Sequence, residues 1–212
     1  MKKNSSSKKV KPEKNVWREN IEAIIIALVL ALFIRTFIVQ AFKIPSGSMK
    51  DTLLVGDHIL VNKFIYGVKI PFTQKTLIPV KDPGTGDIIV FKFPKDPKKD
   101  FIKRVVGVDG DVVKITDKKV YVNDILQEEE YAVHKDSDTF SGNISPRDNF
   151  GPVKVPRGAL FVMGDNRDNS HDGRFWGFVD LKAVKGKAFM IYWSWNREEF
   201  GVRWKRIGDL LK

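Results

Sequence analysis

The sequence predicts a mainly β protein, in which an N-terminal transmembrane helix precedes a bent antiparallel β-sheet domain with a small inserted β lobe. Three observations carry this prediction: one apolar run beside a basic N-terminal segment, short runs rich in Val, Ile, Phe and Tyr from residue 57 onward, and no helical period after the apolar run. The length of 212 residues suits one membrane segment and one compact domain.

Residues 1–20 are predicted to be a basic cytoplasmic tail, since they hold seven Lys or Arg and only two Glu. Residues 21–42 are predicted to form the transmembrane helix. Their uncharged centre, residues 23–34, is shorter than the roughly 20 residues that a spanning helix needs. Glu22 can reach toward one interface and Arg35 toward the other, and residues 36–42 complete the crossing.

The orientation of this helix follows from charge, because basic flanks stay in the cytoplasm. Residues 43–212 are therefore expected on the periplasmic or extracytoplasmic side of the inner (cytoplasmic) membrane. A cleavable signal peptide is the alternative, with Val39-Gln40-Ala41 as a loose cleavage site, although Arg35 directly after the apolar run argues against it. A buried soluble helix is a weaker alternative that leaves the one-sided basic charge unexplained.

The β-like runs are separated by turn residues such as the Asp-Pro-Gly-Thr-Gly segment at residues 82–86. The predicted strands cover residues 58–63, 87–93, 101–106, 112–115, 119–122, 159–163 and 183–193. A polar segment interrupts them, so we expect a small insertion at about residues 116–156. Trp193, Trp195 and Phe200 are expected to pack in the core, with an apolar surface at the membrane interface as the alternative.

Composition excludes several functions. The chain has no cysteine, which removes a thiol nucleophile, a disulfide framework and a cysteine-ligated zinc site. Of the net charge of +11, residues 1–20 carry +5, so the rest of the chain is only mildly basic. This division argues against a nucleic-acid partner, which would usually require the charge on the folded part.

The first segment with chemical potential is IPSGSM, residues 44–49. A proline followed by Ser-Gly-Ser favours a tight turn, which can expose a hydroxyl and direct a backbone N–H toward an oxyanion. A plain polar loop between helix and strand is the alternative, because Ser-Gly-Ser by itself is common.

The second segment is FIKRVVGVDGD, residues 101–111. In a strand, Lys103 shares a face with Phe101 and Val105, and burial among apolar groups disfavours the charged amine. A neutral amine can take a proton from a serine hydroxyl. The alternative is an ordinary surface lysine on an edge strand.

The third segment is MGDNRDNSHDGR, residues 163–174, which follows an apolar strand. Its aspartates are compatible with a hard cation, but the spacing does not match an EF-hand loop. We favour a loop in which Asp–Arg pairs fix the backbone beside a reactive centre.

In combination, these segments resemble bacterial type I signal peptidases (leader peptidases). Residues 45–49 resemble the nucleophile motif of that family, 102–107 its lysine motif and 164–174 its last motif, and the ending RWKRIG at 203–208 is also similar. The resemblance covers roughly residues 20–208. One departure is visible, because the family usually has proline where this chain has Asp51, and a less rigid turn is expected there.

The resemblance implies a Ser/Lys serine endopeptidase that needs no metal or cofactor. Ser48 is the implied nucleophile and Lys103 the general base, while Ser46 and the Ser48 N–H form the oxyanion hole and Ser170 orients the lysine. Asp165, Asp172 and Arg174 are implied supports, with Asp165 paired to Arg174. The implied substrate-binding residues are Ile44, Pro45, Met49, Leu53 and Ile102.

The implied partners are the signal peptides of exported preproteins, cleaved after small residues in an Ala-x-Ala pattern, and the lipid bilayer, with no nucleic acid and a monomeric chain. Three alternatives stay open. One is a Ser/Lys autoprotease of the repressor-cleaving type, against which the membrane anchor argues. The second is a non-catalytic β-sheet binding module, secreted or membrane-anchored. The third is a Ser/Lys peptidase dedicated to one substrate.

Overall fold

The architecture comes from a computed structural model that describes residues 16–69, 76–78 and 80–211. Most of the predicted basic tail, residues 1–15, lies outside the described residues.

The N-terminal helix α1 spans Val16–Phe33 and continues as a π-helical segment, Ile34–Ile38. The predicted helix over residues 21–42 is therefore wrong at both ends. Residues 39–42 belong to a β-strand, because an antiparallel partner from Asp57–Asn62 takes up their backbone hydrogen bonds. No helix among the described residues combines the length and the apolar character needed to cross a membrane.

The predicted mainly β, antiparallel class is confirmed. The strands are β1 Val39–Lys43, β2 Asp57–Asn62, β3 Val68–Lys69, β4 Thr76–Ile78, β5 Ile88–Phe93, β6 Asp96–Gly107, β7 Val112–Thr116, β8 Lys119–Val122, β9 Ile125–Leu126, β10 Phe150–Lys154, β11 Ala159–Met163, β12 Val179–Asp180, β13 Val184–Asn196 and β14 Gly201–Val202. A four-residue helix, α2, spans Gly173–Trp176. Short 3-10 turns cover Phe64–Tyr66, Arg167–Asn169, Leu181–Ala183 and Trp204–Arg206.

The main sheet has the order β1-β2-β13-β5-β6-β11-β12, and β14 pairs with the end of β13. Register shifts interrupt the pairing of β13 with both β2 and β5, and such bulges bend a sheet. A second sheet has the order β10-β7-β8-β9. The strand of this sheet that comes first in the chain, β7, begins at Val112, a few residues before the predicted insertion at about 116–156.

The core lies on both faces of the main sheet. Burial alternates along β2, as expected for a strand with one face against the core, whereas the first four residues of β5 are buried on both faces. One apolar cluster gathers around Ile44, Met49 and Leu53, and another around Phe91 and Val105. The segment after β1 thus enters the core directly, which positions the Ser-Gly-Ser turn at the rim of the sheet.

The aromatic end of the chain is not in the core. Trp193 and Trp195 are each 36% exposed, Phe200 is 83% exposed and Trp204 is 72% exposed. The expectation that Trp193, Trp195 and Phe200 pack in the core is therefore wrong. Trp193 pairs with His58 of β2 and Trp195 with Val202 of β14, while Phe200 lies in the connection between β13 and β14.

Candidate active site

The segment that carries Ser48 is a tight turn held between core residues. The Ile44 amide donates to the Asp57 carbonyl, and further along the Lys50 amide donates to the Gly47 carbonyl at 3.1 Å. The Leu53 amide donates to the Met49 carbonyl at 2.7 Å, so the chain coils directly after the serine. Ser48 is consequently half-buried at the edge of the core.

Asp51 explains how this turn differs from one built with proline. Its φ is +40°, in the left-handed region that aspartate tolerates better than most residues. Proline is locked near −65° and cannot adopt this conformation. The departure from the family pattern at this position is therefore matched by a different backbone geometry.

Lys103 lies on β6, opposite Ile89 of β5, and only 3% of it is exposed. Its Nζ donates a hydrogen bond of 2.7 Å to Ser48 Oγ and one of 3.0 Å to the Ile102 carbonyl. The strand interpretation of its surroundings is correct, since its Nζ lies 5.5 Å from the Phe101 ring centre. Serine hydroxyl and lysine amine, 55 residues apart in sequence, are thus in direct contact.

The electrostatic environment of Lys103 favours the neutral amine. Burial is the main cause and lowers the pKa of Lys103 to about 8. The carboxylates of Asp172 and Asp165 raise this pKa, and the Arg174 guanidinium lowers it. A sizeable fraction of the amine is therefore neutral slightly above neutral pH.

The loop after β11 clamps the backbone of the serine turn. The Asn166 amide donates to the Ser48 carbonyl at 3.2 Å, and its side-chain Nδ2 donates to the Gly47 carbonyl at 2.9 Å. Gly164 has no room for a side chain, because a Cβ there would overlap the Ser48 carbonyl and the Ser170 side chain. Sequence reasoning missed Asn166, since nothing but its position in the third motif marks it.

The ion pairs of this loop differ from the expected ones. Asp165 pairs with Arg104, through Nε at 2.9 Å and Nη2 at 2.8 Å, and accepts a hydrogen bond of 2.6 Å from Thr52. The predicted Asp165–Arg174 pair is wrong. The strand register sets Arg104 opposite Met163, two residues before Asp165, so Arg104 reaches this carboxylate first.

Arg174 instead pairs with Asp172, two residues away, at 2.8 and 2.9 Å. The same carboxylate accepts the Gly164 and Arg174 amides, so Asp172 joins the start of α2 to the end of β11. Burial by itself would raise the pKa of Asp172, but the charge and hydrogen bonds of Arg174 and the Gly164 amide hold it below its usual range. Asp172 therefore stays ionised beside Lys103.

Asp168 completes the set of paired carboxylates in the loop. It accepts hydrogen bonds from the backbone amides of Lys135 and Asp136 and lies 3.2 Å from the Lys118 ammonium. In the described part of the chain, no group of three or more His, Cys, Asp or Glu is arranged to hold a metal ion. The three aspartates of the loop act as hydrogen-bond acceptors that shape the backbone.

Ser170 and Ser46 lie near the reactive pair but differ in exposure. Ser170 is buried and makes no hydrogen bond with Lys103 in this structure; its side chain lies close enough to Asp172 to contribute to the lowered pKa of that carboxyl group. Lys103 Nζ makes hydrogen bonds with Ser48 Oγ and with the Ile102 carbonyl. Ser46 is exposed at the start of the turn.

The implied substrate-binding residues also separate by burial. Met49 and Leu53 have no exposed surface and Ile44 has 2%, because all three are inserted between β2, β5 and β13. They lie beneath the site and do not line an open pocket. Pro45 is exposed and Ile102 is half-buried, and these two have surface available beside Ser48.

The C-terminal segment braces the loop behind the serine. The Arg206 guanidinium donates to the Thr52 carbonyl at 2.8 Å and to the buried Asp57 carboxylate at 2.7 Å. Asp57 also accepts the Leu54 amide and the Ser194 hydroxyl. The role of Asp57 could not be read from the sequence, where the residue stands in a β-like run without any motif.

Comparison with known proteins shows the family to which the chain belongs. The family model described as Signal peptidase, peptidase S26, matches residues 17–193. A signal peptidase I from Pseudomonas fluorescens is 43% identical over 202 residues, with 79% of this chain and 69% of the relative covered. A signal peptidase I from Aquifex aeolicus is 35% identical, with 84% of each chain covered.

A solved signal peptidase I from Enterococcus faecalis is 31% identical and aligns with 50% of this chain and 97% of its own, with a TM-score of 0.41. The family assignment rests on the sequence matches, since that alignment covers only half of the chain.

A serine hydroxyl that is hydrogen-bonded to a buried lysine suits a hydrolytic enzyme with a serine nucleophile. The chain belongs to the signal peptidase family, peptidase S26. It is accordingly a serine endopeptidase, and the alternative of a non-catalytic binding module is set aside.

Proposed function

We propose that this chain removes N-terminal signal peptides from exported preproteins, with Ser48 as nucleophile and Lys103 as general base. The observation that carries the proposal is the 2.7 Å hydrogen bond between Lys103 Nζ and Ser48 Oγ, made by an amine whose pKa burial lowers to about 8. Such a pair is a recurring alternative to the Ser-His-Asp triad.

In the neutral form of Lys103, the Ser48 hydroxyl donates its hydrogen bond to the amine lone pair. Attack of Ser48 Oγ on the scissile carbonyl transfers this proton to Lys103, and the ammonium then gives it to the leaving amine. The acyl-enzyme is hydrolysed when Lys103 takes a proton from the attacking water and returns it to Ser48. No metal or cofactor takes part in this cycle.

The oxyanion hole consists of the Ser48 amide and the Ser46 hydroxyl. No acceptor in the described part of the chain takes the Ser48 amide N–H, so this donor is available to a substrate oxygen. Preorganised donors of this kind contribute about 3–4 kcal/mol to transition-state stabilisation. The Asn166 clamp on the Ser48 and Gly47 carbonyls holds the turn that orients the amide.

The substrate binds as an extended strand between two open sheet edges. One is the outer edge of β1, which pairs only with β2 and leads into the serine turn. The other is the part of β6 before Arg104, where pairing with β11 has not begun. Exposed strand edges bind peptides through main-chain hydrogen bonds.

Small substrate side chains fit this groove because its floor is already filled. Ile102 and Phe42 are partly buried and pack against the cluster of Ile44 and Met49, so we expect only shallow apolar depressions at the surface. Pro45 and Ile102 are the residues that touch the substrate, and Ile44, Met49 and Leu53 support them from below. Shallow depressions of this kind select Ala-x-Ala sites.

The enzyme acts at the inner (cytoplasmic) membrane as a single-pass protein. The apolar side chains of α1 are exposed, for example Ile26 and Val29, and no described element covers them. With residues 1–20 in the cytoplasm, the β domain, residues 43–212, works on the outer side as a monomer. The small lobe at about residues 116–156 is an insertion into this domain.

The test uses purified full-length protein in detergent with added lipid, and a preprotein that carries one Ala-x-Ala site. Cleavage after the second alanine, absent with Ser48→Ala at equal folding, is the expected result. If the wild-type protein also failed to cleave the preprotein, the proposal would be overturned for general preproteins. The remaining interpretation would be a peptidase dedicated to one substrate.

A further inference from the structure

A wide, charged cleft adjoins the serine turn. Its volume is about 940 Å³, and its walls come from the turn itself, from the loop after β11, from the polar segment after β9 and from the β13–β14 hairpin. Gly47 and Asn166, which form the clamp described above, stand at the inner end of the cleft.

Cations without ion-pair partners dominate this cleft. Lys50, Lys135 and Arg197 are exposed along its walls, and no carboxylate of the described residues forms a salt bridge with any of them. The nearby carboxylates are already engaged, because Asp136 pairs with Arg147 and Asp168 with Lys118. Glu198 is the remaining carboxylate on the walls, so the unpaired charge is positive on balance.

Asn166 adds an independent sign of a ligand in this place. It is 4% exposed, and its Oδ1 has no hydrogen-bond partner among the described residues. A buried acceptor of this kind usually finds a partner, and an N–H of a bound peptide next to Ser48 would supply one.

The direction of the bound peptide connects the cleft with the reaction. In the proposed binding mode, the acyl half of the substrate lies between the β1 edge and β6, before Ser48. The half that leaves as an amine must continue past the turn on its other side. Lys50, two residues after Ser48, lines the cleft, so the cleft is within reach of this half of the substrate.

Resting on the proposed function, we infer that this cleft binds the first residues of the mature protein and favours acidic side chains there. Lys50, Lys135 and Arg197 determine this preference by electrostatic complementarity, which acts mainly on selectivity and on the rate of association. Selection by this enzyme thus extends beyond the small residues before the cleaved bond.

The test compares three preproteins with the same signal peptide and Ala-x-Ala site. The second to fifth mature residues are acidic in one, neutral amides in another and basic in the third. The expected kcat/KM is about three- to tenfold higher for the acidic than for the basic substrate at low salt. The ratio should approach one at about 0.5 M NaCl, where exposed charges are screened.

The variant Lys50→Glu/Lys135→Glu/Arg197→Glu should reverse the acidic-to-basic ratio. A matched control, Lys114→Glu/Lys119→Glu/Lys154→Glu, changes three exposed lysines of the second sheet by the same net charge and should keep the wild-type ratio. For each enzyme, the kcat/KM of the acidic substrate is divided by that of the basic substrate, so a change that affects both substrates equally does not alter the ratio.

Equal cleavage of the three preproteins by the wild type would overturn the inference and leave the proposed function intact. A preference that the control triple variant abolishes as fully as the cleft variant would also overturn it, because net charge alone would then be responsible. If the wild type cleaved none of the three preproteins, the neutral one included, the proposed function itself would be refuted for general preproteins.

Discussion

Lys103 combines deep burial with a hydrogen bond to a serine hydroxyl, and both properties depend on neighbours that are distant in sequence. Its strand neighbour Phe101 excludes water, while the ionised Asp172 keeps the pKa of the amine from falling further. The balance leaves an amine that can accept a proton near pH 8, as the proposed catalysis by a neutral amine needs.

The pH dependence of catalysis should follow this lysine. Because the active form is the neutral amine, kcat/KM is expected to rise with pH and to reach half of its plateau near pH 8. The measurement is a pH–rate profile on a peptide substrate without titrating groups in this range. A profile that falls between about pH 7 and 9 would contradict the assignment of Lys103 as general base.

Replacement of the buried amine should separate stability from activity. The pKa of Lys103 is 10.5 unperturbed and about 8 when folded, so the wild type loses stability as pH falls from 10.5 to 8, and below pH 8 the full loss of about 3 kcal/mol persists. Lys103→Met removes this penalty, together with two hydrogen bonds. We expect an inactive protein that is at least as stable as wild type at pH 7.

Urea unfolding at pH 7 and at pH 10 checks this expectation, with Ser48→Ala as an inactive control that retains the lysine. The advantage of Lys103→Met over Ser48→Ala should shrink at the higher pH. Normal peptidase turnover by Lys103→Met would refute the proposed mechanism.

Asp51 offers a backbone test of the serine turn. At φ +40°, glycine is unstrained, whereas proline is excluded. Asp51→Gly should keep activity and change stability by less than about 1 kcal/mol, and Asp51→Pro should lower both kcat/KM and the melting temperature. Equal behaviour of the two variants in a thermal melt and a peptidase assay would show that the turn rearranges without cost.

At the scale of elements, the site is a junction between strands β6 and β11 and the turn after β1. The buried Arg104–Asp165 pair joins the two strands, and Thr52 links the turn to the same carboxylate. Arg104 also lies over the Tyr131 ring, with its guanidinium carbon 3.8 Å from the ring centre. One carboxylate thus connects all the segments that carry the candidate site.

Breaking this junction should be costly. Asp165→Ala removes the carboxylate that pairs with the buried Arg104 charge, and such a loss typically destabilises by about 3–5 kcal/mol. Asp100→Ala removes the exposed partner of Lys185 and should cost less than about 1 kcal/mol. Chemical denaturation of both variants measures the difference, and similar losses for the two would show that Asp165 is not a structural junction.

At the scale of the whole molecule, the aromatic end of β13 and the segment after β14 form an exposed apolar surface. Trp193 and Trp204 are in edge-to-face contact, with ring centres 6.3 Å apart. Phe200, four residues before Trp204 in the sequence, is also exposed. Tryptophan favours the membrane–water interface, so this surface is suited to hold the β domain against the bilayer.

This arrangement predicts a difference between membrane-bound and soluble substrates. Trp193→Ser/Trp204→Ser should lower the cleavage of a preprotein inserted in vesicles and leave the cleavage of a short soluble peptide unchanged. Brominated lipids should quench Trp193 and Trp204 in a Trp17→Phe background, which removes the exposed tryptophan of α1. Equal effects on both substrates, or the absence of quenching, would contradict the membrane contact.

The sequence by itself determined the strands and the residue types of the site. Alternating and continuous runs of Val, Ile and Phe predict strands near their observed positions, because side-chain period and burial are local properties. The motifs around Ser48, Lys103 and Gly164 identified the family for the same reason, since each lies within a short segment.

Tertiary structure decided which of these residues meet. Asp165 pairs with Arg104 and not with the expected Arg174, because the register of β6 and β11, a long-range property, brings Arg104 close to Asp165. Residues 39–42 join the sheet and not the helix because β2, which follows the serine turn, offers them backbone partners. Asn166 and Asp57 bind segments more than 100 residues away, and no local pattern encodes these contacts.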